Sequence, residues 1–326
     1  MSETSNTATM ADKVSAEIFS VFGWQRVGPK DTDWPCVLES HGKKTHPSDV
    51  VFWYDEPYRD ERLYINIDLK SYSATKVEKS DIAAAIRSLA IATECANLSD
   101  EWQKRFANDG MNRSVAGMLF IYNHDAEYDG DFQRKLDNVD ERSFGLAAGL
   151  RMFVVGPPAV AYLRTVSNDI NVLRGMEEMP KASECKFYYP DLVEVRARSN
   201  SQSSATLEML TGPWQILRYR NEKDGSSWDE VLIYYRGDGN STDEFMYLID
   251  YLFRFQLLEE NTRIRLRLPN GKPEAPVIFE RAAEKYADHF AISKDIKKRL
   301  KQVRCEIVSS VITKFSELEL GMRRDE

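Results

Sequence analysis

The sequence predicts an α/β protein of two domains, and three observations carry that expectation. Its 326 residues exceed what one typical hydrophobic core organises. Between residues 13 and 125 the apolar pattern runs helix, strand, strand, strand, helix, strand. A polar stretch, Arg196–Ser204, then precedes a second series of strands and helices that begins near Trp214.

Taken in order, residues 1–12 are small and polar and are expected to form a disordered tail. Val14, Ile18, Val21 and Phe22 recur at helical spacing, and Gly23 stops that helix. Trp34–Leu38 and Val50–Tyr54 read as strands joined through the turn-rich His41-Gly42-Lys43-Lys44. Leu63–Leu69 alternates, with Leu63, Ile65, Ile67 and Leu69 on one face and Tyr64, Asn66, Asp68 and Lys70 on the other. Ser80-Asp81 is the expected cap of a helix running to about Asn97, and Val115–Tyr122 is a buried type of strand. Three strands in succession predict an antiparallel meander, and the helix before the fourth permits a parallel crossover, giving a mixed sheet. Arg151–Val155 and Ala159–Leu173 continue the unit as strand and helix.

The expected division is a tail at 1–12, a first domain at 13–195, a linker at 196–212 and a smaller α/β domain at 213–326. In that second domain Gln215–Arg220 and Val231–Arg236 flank a turn at Asp224-Gly225. Ser241 and Glu244 form a capping box before the helix Phe245–Leu258. Arg263–Leu268 reads as a strand, and Lys294 to about Leu320 as a long terminal helix.

Composition narrows the class. Hydrophobic residues at 42% and charged residues at 29% exclude a wholly disordered or collagen-like chain. No apolar run approaches the ~20 residues of a membrane-spanning helix. The N-terminal residues are polar and acidic, unlike a secretory signal. Cys36, Cys95, Cys185 and Cys305 lie far apart with no CxxC pair, so reduced thiols and a cytoplasmic location are expected, not a zinc ribbon or a disulfide framework. Forty-four Lys and Arg against 52 Asp and Glu give a net charge of −8, which by itself speaks against a nucleic-acid partner. The segment Arg263–Arg304, however, holds twelve basic and five acidic residues, a local balance of +7.

The residues that point to chemistry are Asp49 and the triplet Asp68-Leu69-Lys70. At period two, Asp68 and Lys70 leave the sheet on one face while Leu69 turns inward. If the strand opened by Asp49 pairs with the strand of Asp68, the two carboxylates meet there. Close carboxylates repel, and a hard divalent cation removes the conflict: Mg²⁺ takes oxygen ligands and commonly binds through one or two carboxylates plus a substrate phosphate. An adjacent ammonium can position the attacking water and stabilise charge on the phosphate. This set suits metal-assisted phosphodiester hydrolysis. Two other acid-x-Lys triplets, Glu184-Cys185-Lys186 and Asp295-Ile296-Lys297, lack either the strand or the upstream acid.

With Pro47-Ser48-Asp49, Asp68-Leu69-Lys70 and this order of elements, residues 13–125 resemble the PD-(D/E)XK nuclease superfamily, whose fold is that of the restriction endonucleases. The resemblance implies Mg²⁺, or Mn²⁺, held by Asp49 and Asp68, with Lys70 assisting the attacking water and Glu17 as an additional acid from the first helix. It also implies DNA as substrate and a role in bacterial defence against phage. The sequence departs from the family pattern at Ser48, which separates Pro47 from the acid, and at Asp68, where glutamate is commoner. A solvated strand face is the alternative for the trio, and an ordinary exposed helix acid for Glu17.

His41 and His46 read as turn histidines, and His124-Asp125 as a cap or turn. Lys43, Lys44, Arg263, Arg265, Lys297 and Lys298 are candidate nucleic-acid contacts; solvated lysines and an ion-paired sheet surface are the alternatives. Two functions therefore stand: a cytoplasmic Mg²⁺-dependent nuclease acting on DNA, expected to be a homo-oligomer, or a non-catalytic subunit on a nuclease fold that docks a helicase, an ATPase or another partner.

Overall fold

Strand β5 organises the first part of the molecule, and its neighbours explain why. The structure, a computed structural model, describes residues 5–107, 110–139, 148–189, 201–223 and 226–310. These residues divide into two units, with the boundary between Ala161 and Tyr162.

In the first unit, helix α1 (Ser5–Val21) leads into the short strand β1 (Gln25–Val27). Strands β2 (Thr32–Pro35) and β3 (Thr45–Ser48) form an antiparallel two-stranded ribbon of their own. Strand β4 (Val50–Asp55) pairs antiparallel with β5 (Arg62–Tyr72), in the register Val50 to Ile67. Helix α2 (Lys79–Leu98) and helix α3 (Asp100–Phe106) then cross to β6 (Arg113–Asn123), which lies parallel to β5. Helix α4 (Phe132–Asp137) precedes β7 (Arg151–Val155), parallel to β6. The sheet order is β1-β4-β5-β6-β7, the expected mixed arrangement.

Helices cover both faces of this sheet. On one, Phe19 of α1 meets Phe52 and Phe120 edge-on at ring separations of 5.3 and 5.8 Å. On the other, Ala92, Cys95 and Ala96 of α2 pack with Val51, Tyr64 and Val115, and Leu89 packs with Leu119 and Ile121. Leu63 to Ile67 are therefore all buried, although their sequence alternates, because a strand with two covered faces has no solvent side.

Ser99 is the single residue between α2 and α3: its N–H donates to the Cys95 carbonyl at 2.8 Å and closes α2, and its Oγ accepts from the Trp102 N–H at 3.2 Å and caps α3. Ser99 is buried, so Ser99→Ala is expected to cost about 1 kcal/mol in chemical denaturation, whereas Ser99→Gly costs a few tenths. Equal losses for the two variants would contradict the capping role.

The second unit contains the remainder of α5 (Pro157–Gly175), which starts in the first unit, and a six-stranded sheet. Its strands are β8 (Lys186–Tyr188), β9 (Ser201–Gln202), β10 (Trp214–Lys223), β11 (Ser226–Tyr235), β12 (Thr262–Leu268) and β13 (Arg304–Ile307), in the order β13-β12-β11-β10-β8-β9. Helix α6 (Leu207–Thr211) precedes the β10–β11 hairpin, α7 (Thr242–Arg254) connects β11 to β12, and α8 (Ala275–His289) and α9 (Lys294–Lys301) connect β12 to β13. Phe245, Leu248, Leu252 and Phe279 from these helices pack on Val231, Ile233 and Leu266. The Ser241 hydroxyl accepts from the Glu244 N–H, as its position predicts, while the Glu244 carboxylate accepts from Gly239 and Asn240.

Four expectations need correction. Residues 5–12, assigned to a disordered tail, are helical, because Ala11 and Val14 lie in the buried stripe of α1. Ser80 and Asp81 fall inside the first turn of α2, with Glu78 at the cap position. Trp34–Leu38 contracts to β2 and leaves the main sheet; Pro35 and Pro47 lack the N–H that an interior strand needs, which suits an isolated ribbon. The long terminal helix ends at Lys301, and Arg304–Ile307 is a strand parallel to β12; residues 311–320 of that expected helix lie outside the described ones.

The domain boundary also differs from the expected linker at 196–212. Phe187 pairs with Leu217, which places β8 in the second sheet. Residues 207–211 are helical, and 196–200 lie outside the described residues. Among the described residues no helix is long and apolar enough to cross a membrane.

Candidate active site

Asp49 occupies the single residue between β3 and β4, and everything around it is fixed. Its carbonyl accepts from the Asp31 N–H at 2.9 Å. The preceding Ser48 is buried, and its hydroxyl accepts from two indole N–H groups, Trp34 at 3.0 Å and Trp102 at 3.3 Å. The pairing of Val50 with Ile67 sets Asp49 opposite Asp68. The Asp49 carboxylate takes the Leu69 N–H at 2.7 Å, an anchor that holds it against β5.

Period two then does what the sequence implied: Asp68 and Lys70 share the face on which Asp49 arrives. Lys70 Nζ lies 2.6 Å from Asp68 Oδ1. Burial, then the charge of Asp68, pushes the Asp49 carboxyl up to about 7, despite the Leu69 N–H that favours its ionised form. For Lys70, burial disfavours charge, but Asp68 and Asp49 outweigh it and raise the ammonium above its ordinary value. Lys70 is thus a firm cation beside two acids, one of which, Asp49, is pushed well above the usual carboxylate range.

The fit to a divalent cation rests on this donor set. Two carboxylates set opposite each other carry a repulsion that raises the pKa of Asp49, and a hard cation with oxygen ligands relieves that repulsion. On the same strand face, two residues before Asp68, Asn66 is fully buried, and neither its amide nitrogen nor its oxygen has a hydrogen-bond partner among the described residues. Unpaired buried polar atoms cost stability and are usually retained for a reason, so polar demand persists beside the acids.

The other expected positions separate from this trio. Glu17 is exposed on α1, whose buried side packs on the opposite sheet face, and the structure gives its carboxylate no contact with Asp49 or Asp68. Lys43 and Lys44 are exposed in the turn before β3. The Asp125 carboxylate accepts from Ala74 and Glu127 N–H groups, which outweigh burial and hold it below the usual carboxylate range: it is a turn and cap group. His124 Nδ1 lies 3.3 Å from the Ser71 hydroxyl. His41 lies in the turn between β2 and β3, as expected, whereas His46 lies in β3, and both side chains are buried beside Cys36 and Cys95.

In the second unit, β12 realises the ion-paired alternative. Arg265 is 8% exposed and pairs with Glu178 at 3.1 Å and Glu306 at 3.5 Å, while Arg267 pairs with Asp169 and Glu306. Arg263 stacks over Trp228 at 3.6 Å. Lys297 pairs with Asp288 at 2.9 Å, and Lys298 is exposed. A cleft of about 930 Å³ opens there, lined by Arg263, Arg265, Arg299 and Arg304 together with Glu178 and Glu230. Of these arginines Arg265 is ion-paired, and Arg299 donates to the Leu258 carbonyl at 3.0 Å.

No curated protein and no solved structure matches the chain. Residues 1–158 match the family model of the GAPS4 protein PD-(D/E)XK nuclease domain, so this part of the chain, with its five-stranded mixed sheet and its Asp49, Asp68 and Lys70, belongs to the PD-(D/E)XK nuclease superfamily.

Proposed function

We propose that the chain is a divalent-metal-dependent nuclease that hydrolyses phosphodiester bonds in DNA, with Asp49 and Asp68 holding Mg²⁺ or Mn²⁺ and Lys70 as the catalytic cation. The observation that carries this reading is the convergence of Asp49, Asp68 and Lys70 at one place on one sheet face. When bound, the metal supplies charge neutralisation and activation of a water nucleophile. The chain's own groups do the rest. Asp49 is preset by the Leu69 N–H, and its proton is the one that must leave before both acids can act as ligands. The raised pKa of Lys70 makes it a poor base and a persistent donor, suited to orienting water and to stabilising negative charge on the phosphate.

The substrate proposal follows the superfamily, as does a role in defence against phage or other foreign DNA in the cytoplasm. The acidic balance of the chain argues for site-directed rather than strong non-specific binding of the polyanion. Cutting both strands of a duplex takes two sites, and a homo-oligomer would supply them.

The test is incubation of the purified chain with supercoiled plasmid, linear duplex and single-stranded RNA, each with and without Mg²⁺ or Mn²⁺. Metal-dependent loss of the DNA substrates is expected. Failure to cut any of them under all conditions would overturn the reading of this chain as a self-sufficient nuclease, and would favour a docking subunit for a helicase, an ATPase or another partner.

A further inference from the structure

We propose that Cys36, His41, His46 and Cys95 form a tetrahedral Zn²⁺ site that staples the β2–β3 ribbon to helix α2. The four side chains come from the end of β2, the connecting turn, β3 and α2, and their ligand atoms all lie within 4.8 Å of one another. The individual separations are those of ligands around one ion. With Zn–S near 2.3 Å and Zn–N near 2.0–2.1 Å, tetrahedral geometry sets S···S at about 3.8 Å and S···N at about 3.6 Å. Cys36 Sγ lies 3.5 Å from Cys95 Sγ and 3.6 Å from His41 Nδ1, and Cys95 Sγ lies 3.2 Å from His41 Nδ1. A disulfide needs an S–S distance of about 2.05 Å, so the two sulfurs are not arranged as a bond.

Two further observations point to an ion. His46 is 2% exposed, its ring lies 5.6 Å from that of His41, and its Nε2 has no hydrogen-bond partner among the described residues. On the far side of His41, Nε2 lies 3.3 Å from the Glu94 carboxylate. A carboxylate that takes the second ring N–H fixes the tautomer so that Nδ1 is free to ligate, the usual outer support of a metal-bound histidine. Two sulfurs and two nitrogens in a tetrahedron select zinc over hard cations, and four protein ligands leave no open position, so the site is structural. Binding displaces two thiol protons to solvent and involves no redox change.

The placement gives the ion a task. His46 lies three residues before Asp49 on the segment whose Ser48 is held by Trp34 and Trp102. Closing the ribbon onto α2 fixes the approach of that segment to β5. The site would do so whether or not the chain cuts DNA, and it therefore stands apart from the nuclease proposal.

Metal analysis of the full chain, purified without a polyhistidine tag and without chelator, tests this directly. About one equivalent of zinc per chain is expected, retained in Asp68→Ala and lost in a Cys36→Ser/Cys95→Ser double variant. To keep the test independent of that variant's folding, the wild-type chain is also produced with Co²⁺, which should give the intense visible absorption and the thiolate charge-transfer band of a tetrahedral sulfur-ligated ion. A wild-type chain that takes up neither Zn²⁺ nor Co²⁺ under reducing conditions would overturn the proposal. So would zinc retained by the double variant, or a Cys36–Cys95 disulfide in the protein as isolated.

Discussion

Asp68→Ala is expected to lower Mg²⁺-dependent cleavage of plasmid DNA by a factor of at least ~10³, and Lys70→Ala by ~10²–10³, with little change in folding. The larger effect at Asp68 follows from its two partners. Its carboxylate faces Asp49 and also holds Lys70 at 2.6 Å, so its loss removes a metal ligand and frees the ammonium together. Lys70→Ala leaves both acids in place and removes one charge, which in comparable sites is worth about 2.7–4 kcal/mol of barrier. Lys70→Arg is expected to recover only part of the rate, because a planar guanidinium cannot occupy the place of a compact ammonium. Both side chains are partly exposed at this end of β5, so thermal melting should change little. Initial rates that stay within tenfold of the wild type for both alanine variants would remove the trio from the mechanism.

These residues were legible in the sequence because the side-chain alternation of a strand is local. Asp68 and Lys70 share a face whatever the rest of the chain does. That Asp49 meets them depends on register, which the sequence could state only as a condition and the Val50–Ile67 pairing fulfils. The four zinc-site residues were harder to see. Cys36, His41 and His46 follow one another at intervals of five, a signal hidden in a turn, and Cys95 arrives from a separate helix. Arg265 could be read as a phosphate contact because Glu178 and Glu306, which pair with it, are distant in sequence.

Local propensity misled in two places. The lysine-rich segment after Lys294 favours helix, yet Arg304–Ile307 gains more from pairing beside β12. Helix α8 went unassigned because Pro273 and Pro276 resemble a loop; Pro276, in the first turn, forgoes only an N–H that no helix needs there.

Asp49→Asn is expected to stabilise the metal-free protein at pH 8 while abolishing its response to Mg²⁺. In the folded chain, burial and then Asp68 hold the Asp49 carboxyl at about 7, against roughly 3.9 when unfolded. The folded state therefore binds the proton more tightly, and stability falls as pH rises through the window between those two values. Below about pH 4 both states are protonated and no penalty exists; above about 7 both are ionised and the penalty is complete. Its size is roughly 1–3 kcal/mol once residual solvent access is allowed for. Asparagine keeps the size and an acceptor for the Leu69 N–H, and it carries no charge to repel Asp68. Its melting temperature should accordingly exceed that of the wild type at pH 8, with the difference shrinking toward pH 4.5. Millimolar Mg²⁺ should raise the wild-type value at pH 8, since a ligand of the folded state alone stabilises by mass action, and should leave Asp49→Asn unmoved. A variant less stable than the wild type at pH 8 would mean that the ionised pair is held by protein contacts alone. The acids would then have no call on a cation, and the metal site would have to be sought elsewhere.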